Sequence, residues 1–266
     1  SMRRLMNEAR LNAVPLNRVG LNTIGEIRSS AGGGAGGGID VNNYLTYIAL
    51  QDGVTVSLAS IVPGAYLVEY CIDGDGDWTP LQVGQDSPPI NSQQTISFRG
   101  NIAKPDGSSG SVNLRCAQKC EVCGDPLSLI YGDEAMGATS VPNYAFKGLF
   151  VDTNSGIISA ERLRIRFTSS NCYTDMLRNC RNLERGPIIP NIPLAYRCFY
   201  SMFNGCKKLS QLTALFVEDP ADFGYATNYW MSGVASSGVF VKNRKASWDT
   251  EINGVPSGWT IEYADA

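Results

Sequence analysis

Histidine is missing from all 266 residues. The commonest general base and the commonest metal ligand are thereby removed, and neither a Ser-His-Asp nor a Cys-His site is available within this chain. Charge is scarce as well: Asp, Glu, Lys and Arg make up 18 % of the residues, with a formal net charge of −3 at pH 7. That balance provides no broad basic surface for nucleic acid. No apolar run approaches the roughly 18 residues that span a membrane. The start, Ser1-Met2-Arg3-Arg4-Leu5-Met6, is basic but lacks the continuous apolar stretch of a signal peptide. Glycine is plentiful, with 28 residues, and 43 % of the chain is hydrophobic. The result reads as a soluble, loop-rich chain long enough for one large or two ordinary domains.

The strongest internal signal is a repetition. CYTDMLRNCRNL, from Cys172, returns 26 residues later as CFYSMFNGCKKL. Cys172 matches Cys198, Met176 matches Met202, Cys180 matches Cys206 and Leu183 matches Leu209; Leu177 stands where Phe203 stands. Upstream, Ala145-Phe146-Lys147-Gly148-Leu149-Phe150 falls 27 residues before the first copy. Downstream, Tyr229-Trp230-Met231-Ser232-Gly233-Val234 echoes the second copy with a period of about 28. Four coils follow, the outer two degenerate, as terminal repeats that cap a stack are. A unit this small cannot bury its own apolar face and must stack on a neighbour.

The motif CYxxMFxxCxxL, with the proline-punctuated spacer Gly186-Pro187-Ile188-Ile189-Pro190-Asn191-Ile192-Pro193, resembles the BspA-like class of leucine-rich repeats. That class is common in gut and oral Bacteroidetes and in their phages. The tail Ser236-Ser237-Gly238-Val239-Phe240-Val241-Lys242, then Val255-Pro256-Ser257-Gly258-Trp259-Thr260-Ile261, resembles the closing cap of such arrays. The resemblance covers roughly residues 124–263, and it implies a short repeat solenoid with a C-terminal cap.

Ahead of the repeats the chain divides further. Residues 1–38 form a basic arm that carries Arg3, Arg4, Arg10 and Arg18 and ends in the glycine-rich linker AGGGAGGG. A short helix is expected over 2–13, closed by Pro15. The arm reads either as a solvated leader or as an anchor that docks on a larger assembly. Residues 39–123 read as strands at 44–50, 55–58, 66–72, 78–83, 95–101 and 111–115, short and bounded by Gly, Pro, Asn and Asp. Six strands at this spacing predict a small immunoglobulin-like β-sandwich. The pattern also resembles the sandwich that often precedes these repeats. The expected whole is mainly β with short helices: arm and linker 1–38, sandwich 39–123, repeats and cap 124–266.

Several motifs invite chemistry. Asp73, Asp75 and Asp77 alternate with glycine, as hard-oxygen ligands of calcium do. A strand follows directly, however, and Asp-Gly is also what a tight hairpin demands. Cys116-x3-Cys120-x2-Cys123 has the spacing of a cluster-binding loop. Its setting, between a strand and the repeats, points instead to ordinary packing or a disulfide, with zinc requiring a fourth ligand such as Cys71. Cys172, Cys180, Cys198 and Cys206 recur at repeat spacing and read as a ladder of small apolar side chains. Coils about 4.8 Å apart would also permit disulfides, and eight cysteines leave that open.

Most repeat aromatics belong in a core. Any that face outward beside Met176 and Met202 would form a strip for a glycan or protein partner, and the candidates are Tyr173, Tyr200, Tyr229 and Trp230. The acidic pairs Asp219/Asp222 and Asp249/Glu251 read as solvated turns, so a two-carboxylate glycosidase finds no support in their spacing.

These observations lead to a non-enzymatic protein with no cofactor and no metal. With the resemblance, they imply a virion surface component, a head or tail fibre or decoration protein of a phage infecting Bacteroidetes. The arm would contact other virion proteins and the repeats a bacterial surface glycan or protein. No nucleic acid and no membrane span are expected. Homo-oligomers, often trimers, are implied by the fibre resemblance alone. The alternative is a secreted or cell-surface adhesin of the bacterium, which would carry a signal upstream of Ser1.

Overall fold

The computed structural model of the chain describes residues 37–60, 67–101, 112–248 and 254–265. Among these residues the fold is mainly β, with a single α-helical turn at Ser128–Tyr131. The expected helix over 2–13 and the arginines of the arm lie outside the described residues, as do Asp249 and Glu251.

One sheet of ten strands carries the chain from end to end. In the first half it holds β1 (Leu45–Ala49), β3 (Val68–Ile72), β4 (Thr79–Pro80), β5 (Thr95–Gly100) and β7 (Cys120–Cys123), while β2 (Ser57–Ser60) and β6 (Asn113–Arg115) form a separate two-stranded antiparallel sheet. In the second half follow β8 (Ile157–Ser159), β9 (Arg185–Ile189), β10 (Gln211–Ala214), β11 (Val239–Asn243) and β12 (Thr260–Ala264). The spatial order is β12-β11-β10-β9-β8-β7-β1-β5-β3-β4. Pairings from β4 through β7 are antiparallel; those from β7 through β12 are parallel.

β7 is therefore the strand on which the fold turns. Its register sets Tyr47 against Val122 on one side, antiparallel, and Cys120 against Ile157 on the other, parallel. The sequence expectation omits this strand: it places Cys120 and Cys123 between a sandwich strand and the repeats, in ordinary packing or a disulfide, and not in four residues of sheet. The expected strand over 78–83 shrinks to Thr79–Pro80. Pro80 has no N–H to donate, and β4 accordingly lies at the outer edge of the sheet.

The join is tight. Gly124 has φ of +76°, and a Cβ there would stand 1.9 Å from the Tyr44 carbonyl oxygen, so only glycine fits. Next to it the Asp125 N–H donates to the same Tyr44 carbonyl at 3.1 Å. The Asp125 carboxylate accepts from the Leu127 N–H at 3.0 Å and pairs with Arg166 at 2.6 Å. Ser128 Oγ donates to the Phe98 carbonyl at 2.7 Å and accepts from the Leu45 N–H at 2.9 Å. One continuous apolar core runs from Leu45 through Phe98 and Phe150 to Phe203 and Trp259.

Opposite strands β8 to β11 the chain forms four ribbons of successive turns, over 144–150, 171–180, 197–206 and 225–233. In the second ribbon every other N–H reaches the next ribbon: Asn171 to Tyr196, Tyr173 to Cys198, Asp175 to Tyr200, Leu177 to Met202 and Asn179 to Asn204. The intervening N–H groups turn back three residues, as Thr174 does to Asn171 and Met176 to Tyr173. The backbone is thus satisfied without a strand or a helix. The same pattern joins Phe146 to Cys172 before it and Phe199 to Ala226 after it. Each turn needs one left-handed residue, and positive φ recurs at every fourth position: Asn171, Asp175 and Asn179, then Arg197, Ser201 and Gly205, then Tyr225, Tyr229 and Gly233.

This four-residue rhythm explains the repeat motif. Cys172-Tyr173, Met176-Leu177 and Cys180 point inward and are buried, as are Cys198-Phe199, Met202-Phe203 and Cys206. Inside, rings stack from coil to coil: Phe146 on Tyr173 at 5.8 Å, Tyr173 on Phe199 at 5.6 Å and Phe199 on Phe216 at 5.9 Å. Each such ring contributes roughly 2–3 kcal/mol through burial.

Candidate recognition surface

On the third and fourth ribbons, exposed or half-exposed aromatic side chains and one arginine flank the inward pairs: Tyr196, Arg197 and Tyr200, then Tyr225 and Tyr229. Tyr196, Tyr225 and Tyr229 are 48 %, 53 % and 51 % exposed, although every other large hydrophobic side chain of these two ribbons is at least partly buried. The side chains touch in sequence. The Arg197 guanidinium lies over the rings of Tyr196 and Tyr200 at 5.2 and 5.3 Å. Tyr200 meets Tyr229 edge-on at 5.9 Å. Tyr225 occupies in the fourth ribbon the left-handed position that Arg197 occupies in the third.

The backbone holds these groups in place. The Arg197 N–H donates to the Phe223 carbonyl at 3.0 Å, and that of Ser201 to Asn228 at 2.9 Å. Tyr196 rests on Gly224: a Cβ at that glycine would stand 2.2 Å from the ring. Arg197, Tyr225 and Tyr229 hold φ of 50°, 55° and 55°, in the region favoured by glycine and asparagine. Such strain costs about 1 kcal/mol for each residue, and bulky side chains held there are a mark of functional sites.

Of the four candidate ligand residues, the structure brings Tyr200 and Tyr229 together on this face. Tyr173 and Trp230 are corrected. Both are buried in the core; the Tyr173 hydroxyl donates to the Phe167 carbonyl at 2.7 Å and Trp230 Nε1 to the Gly254 carbonyl at 2.7 Å. They occupy inward positions of the four-residue rhythm, where an aromatic ring stacks on the coil beside it. Tyr196, Arg197 and Tyr225 were missed. The signal was present, since each stands one or two residues before the inward Cys198 or Ala226, but reading it requires knowing which positions turn outward.

The other motifs make contacts within the fold. Asp73 accepts from the Gln94 side chain at 2.7 Å and the Thr95 N–H at 2.9 Å, fastening its hairpin to β5. Asp75 accepts from the Asp77 N–H at 2.9 Å and from the Cys71 thiol at 3.1 Å. These carboxylates serve their own turns, and among the described residues no group of three or more Cys, Asp or Glu side chains converges on a metal position.

All eight cysteines are free and buried. Burial pushes the Cys123, Cys180 and Cys198 thiols up to about 12, well above the range of a reactive thiol. Cys116 and Cys120 contact each other, and that hydrogen bond lowers the first thiol and raises the second. The ladder cysteines do more than fill space: Cys180 Sγ donates to the Phe150 carbonyl at 3.2 Å and Cys206 Sγ to the Leu177 carbonyl at 3.0 Å, each one coil back.

Among the described residues no helix is long and apolar enough to cross a membrane. No family model matches the chain, and neither a curated protein nor a solved structure matches it.

Proposed function

We propose that this chain is a non-enzymatic recognition protein of a virion surface, from a phage that infects Bacteroidetes. The exposed tyrosine–arginine face on the third and fourth ribbons carries the reading. Recognition needs rigid aromatic side chains presented at low entropic cost, and Tyr196, Arg197, Tyr200 and Tyr229 form a contacting row on a hydrogen-bonded backbone. In this reading the ribbons and their parallel strands are a short BspA-like leucine-rich-repeat solenoid with a cap, and the antiparallel half is an immunoglobulin-like sandwich. The virion context comes from the resemblance of CYxxMFxxCxxL to that repeat class. The basic arm, with Arg3, Arg4, Arg10 and Arg18, would attach the protein to its shell.

The test is binding of the fluorescently labelled full chain to a panel of Bacteroidetes strains. Host strains retain it, and the double variant Tyr225→Ala/Tyr229→Ala binds at least tenfold less. Equal binding by that variant would sink the role of the face. An antibody against the protein should decorate phage particles. Decoration of uninfected cells instead would make the protein a bacterial adhesin.

A further inference from the structure

The ligand class can be read from Arg197. Its guanidinium is exposed, stands over two tyrosine rings, and has no ion pair with any carboxylate among the described residues. Asp175, one ribbon away, is already engaged by Arg178 at 3.5 Å. An arginine stacked this way keeps its planar fork of N–H donors in a set orientation, and that fork matches a carboxylate in two parallel hydrogen bonds.

Its surroundings narrow the ligand further. The exposed large side chains here are tyrosines, with no exposed Leu, Ile, Val, Phe or Met on the third and fourth ribbons. Peptide-binding grooves rely on apolar pockets for anchor side chains; this face offers ring faces, phenolic hydroxyls and the half-buried amide of Asn228. Such groups suit a ligand with C–H faces and many hydroxyls. Successive coils lie about 4.8 Å apart, so the tyrosines are repeated along one direction and can follow a polymer.

We propose that the face formed by Tyr196, Arg197, Tyr200, Tyr225 and Tyr229 binds a carboxylate-bearing polysaccharide, the tyrosines stacking on sugar rings and Arg197 holding the uronate carboxylate. This inference rests on the recognition reading above and specifies its ligand.

The experiment uses the full chain and polygalacturonate, titrated calorimetrically beside the same polymer after carboxyl reduction. The reduced polymer keeps the hydroxyls and ring faces and loses only the charge. Binding to the acidic polymer is expected to weaken at least tenfold on carboxyl reduction and by a similar factor in Arg197→Met. Arg197→Lys should retain an intermediate affinity. Met preserves the unbranched stem at the strained position, and an unchanged melting temperature checks that the variant is folded. Equal affinity for both polymers, or wild-type affinity in Arg197→Met, overturns the inference. So does a chain that ignores both polymers yet still binds host cells through Tyr225 and Tyr229; the recognition reading would survive that result with a protein ligand in place of the glycan. Loss of face-dependent cell binding itself would remove both.

Discussion

The two halves of the long sheet meet the same hydrogen-bonding demand by different means. In the antiparallel half, polar side chains tie strands to one another and to their loops. Thr46 Oγ1 and Ser97 Oγ pair at 2.8 Å, Ser87 Oγ accepts from the Val56 N–H at 2.9 Å, and Asp73 secures the Thr95 N–H. In the stacked half the backbone serves itself, each ribbon donating alternate N–H groups to the next. These polar side chains of the first half are committed to the fold, whereas Tyr196, Arg197, Tyr225 and Tyr229 on the ribbons make no side-chain hydrogen bond among the described residues. Variation costs little there beyond the strain of a positive φ, which is why the proposed recognition face is placed on the ribbons.

The largest effect is expected where the halves join. Gly124→Ala should lose at least about 3 kcal/mol, since its Cβ collides with backbone and its φ disfavours any side chain. Urea unfolding measures this; a loss under about 1 kcal/mol would mean that the halves are not locked together at this point.

Next is the stacked column. Phe199→Ala removes a ring that touches Tyr173, Phe216 and Trp230, and a loss of about 3–5 kcal/mol is expected. Because one core spans both halves, unfolding followed by near-ultraviolet circular dichroism and by proteolysis within the antiparallel half should coincide. Two separated transitions would break the comparison into independent units.

Alkali provides a graded test. The Cys71, Cys123, Cys180 and Cys198 thiols are raised by burial from 9.0 to about 12 in the folded chain. Unfolded thiols ionise near 9 while the folded ones keep their protons. Stability should therefore be intact below pH 9 and fall as pH rises toward 12, by up to about 1.4 kcal/mol per pH unit for each thiol. Chemical denaturation at stepped pH checks the slope; a flat profile would place these thiols in water.

The smallest effect sharpens the comparison most. Arg197→Asn replaces a bulky left-handed residue with the type that Asn171 supplies at the equivalent position of the second ribbon. Stability should rise by about 0.5–1 kcal/mol while cell binding falls. A loss of stability would assign Arg197 to the fold rather than to recognition.

Much of this was legible in the chain. The period and its copies at Phe146, Tyr173 and Phe199 appear in the structure as hydrogen-bonded neighbours, because a stack can form only where equivalent positions match. Five strands were found close to their bounds. β7 escapes the pattern because four residues with a cysteine at each end show too short an alternation to read as a strand, and Tyr173 and Trp230 stand among the outward candidates because aromatic character alone carries no direction.

The sequence by itself determined five strands of the first half (β1, β2, β3, β5 and β6), the coil period and the inward skeleton of cysteines, methionines and rings, since each follows from local pattern. Only the tertiary structure decided that β7 fuses an antiparallel sheet to a parallel one, that Gly124 must fit beneath Tyr44, and that Tyr196, Arg197, Tyr225 and Tyr229 turn outward together. Those outcomes depend on which backbone groups meet across coils and across the join, and such pairings are set by distances between residues far apart in the chain.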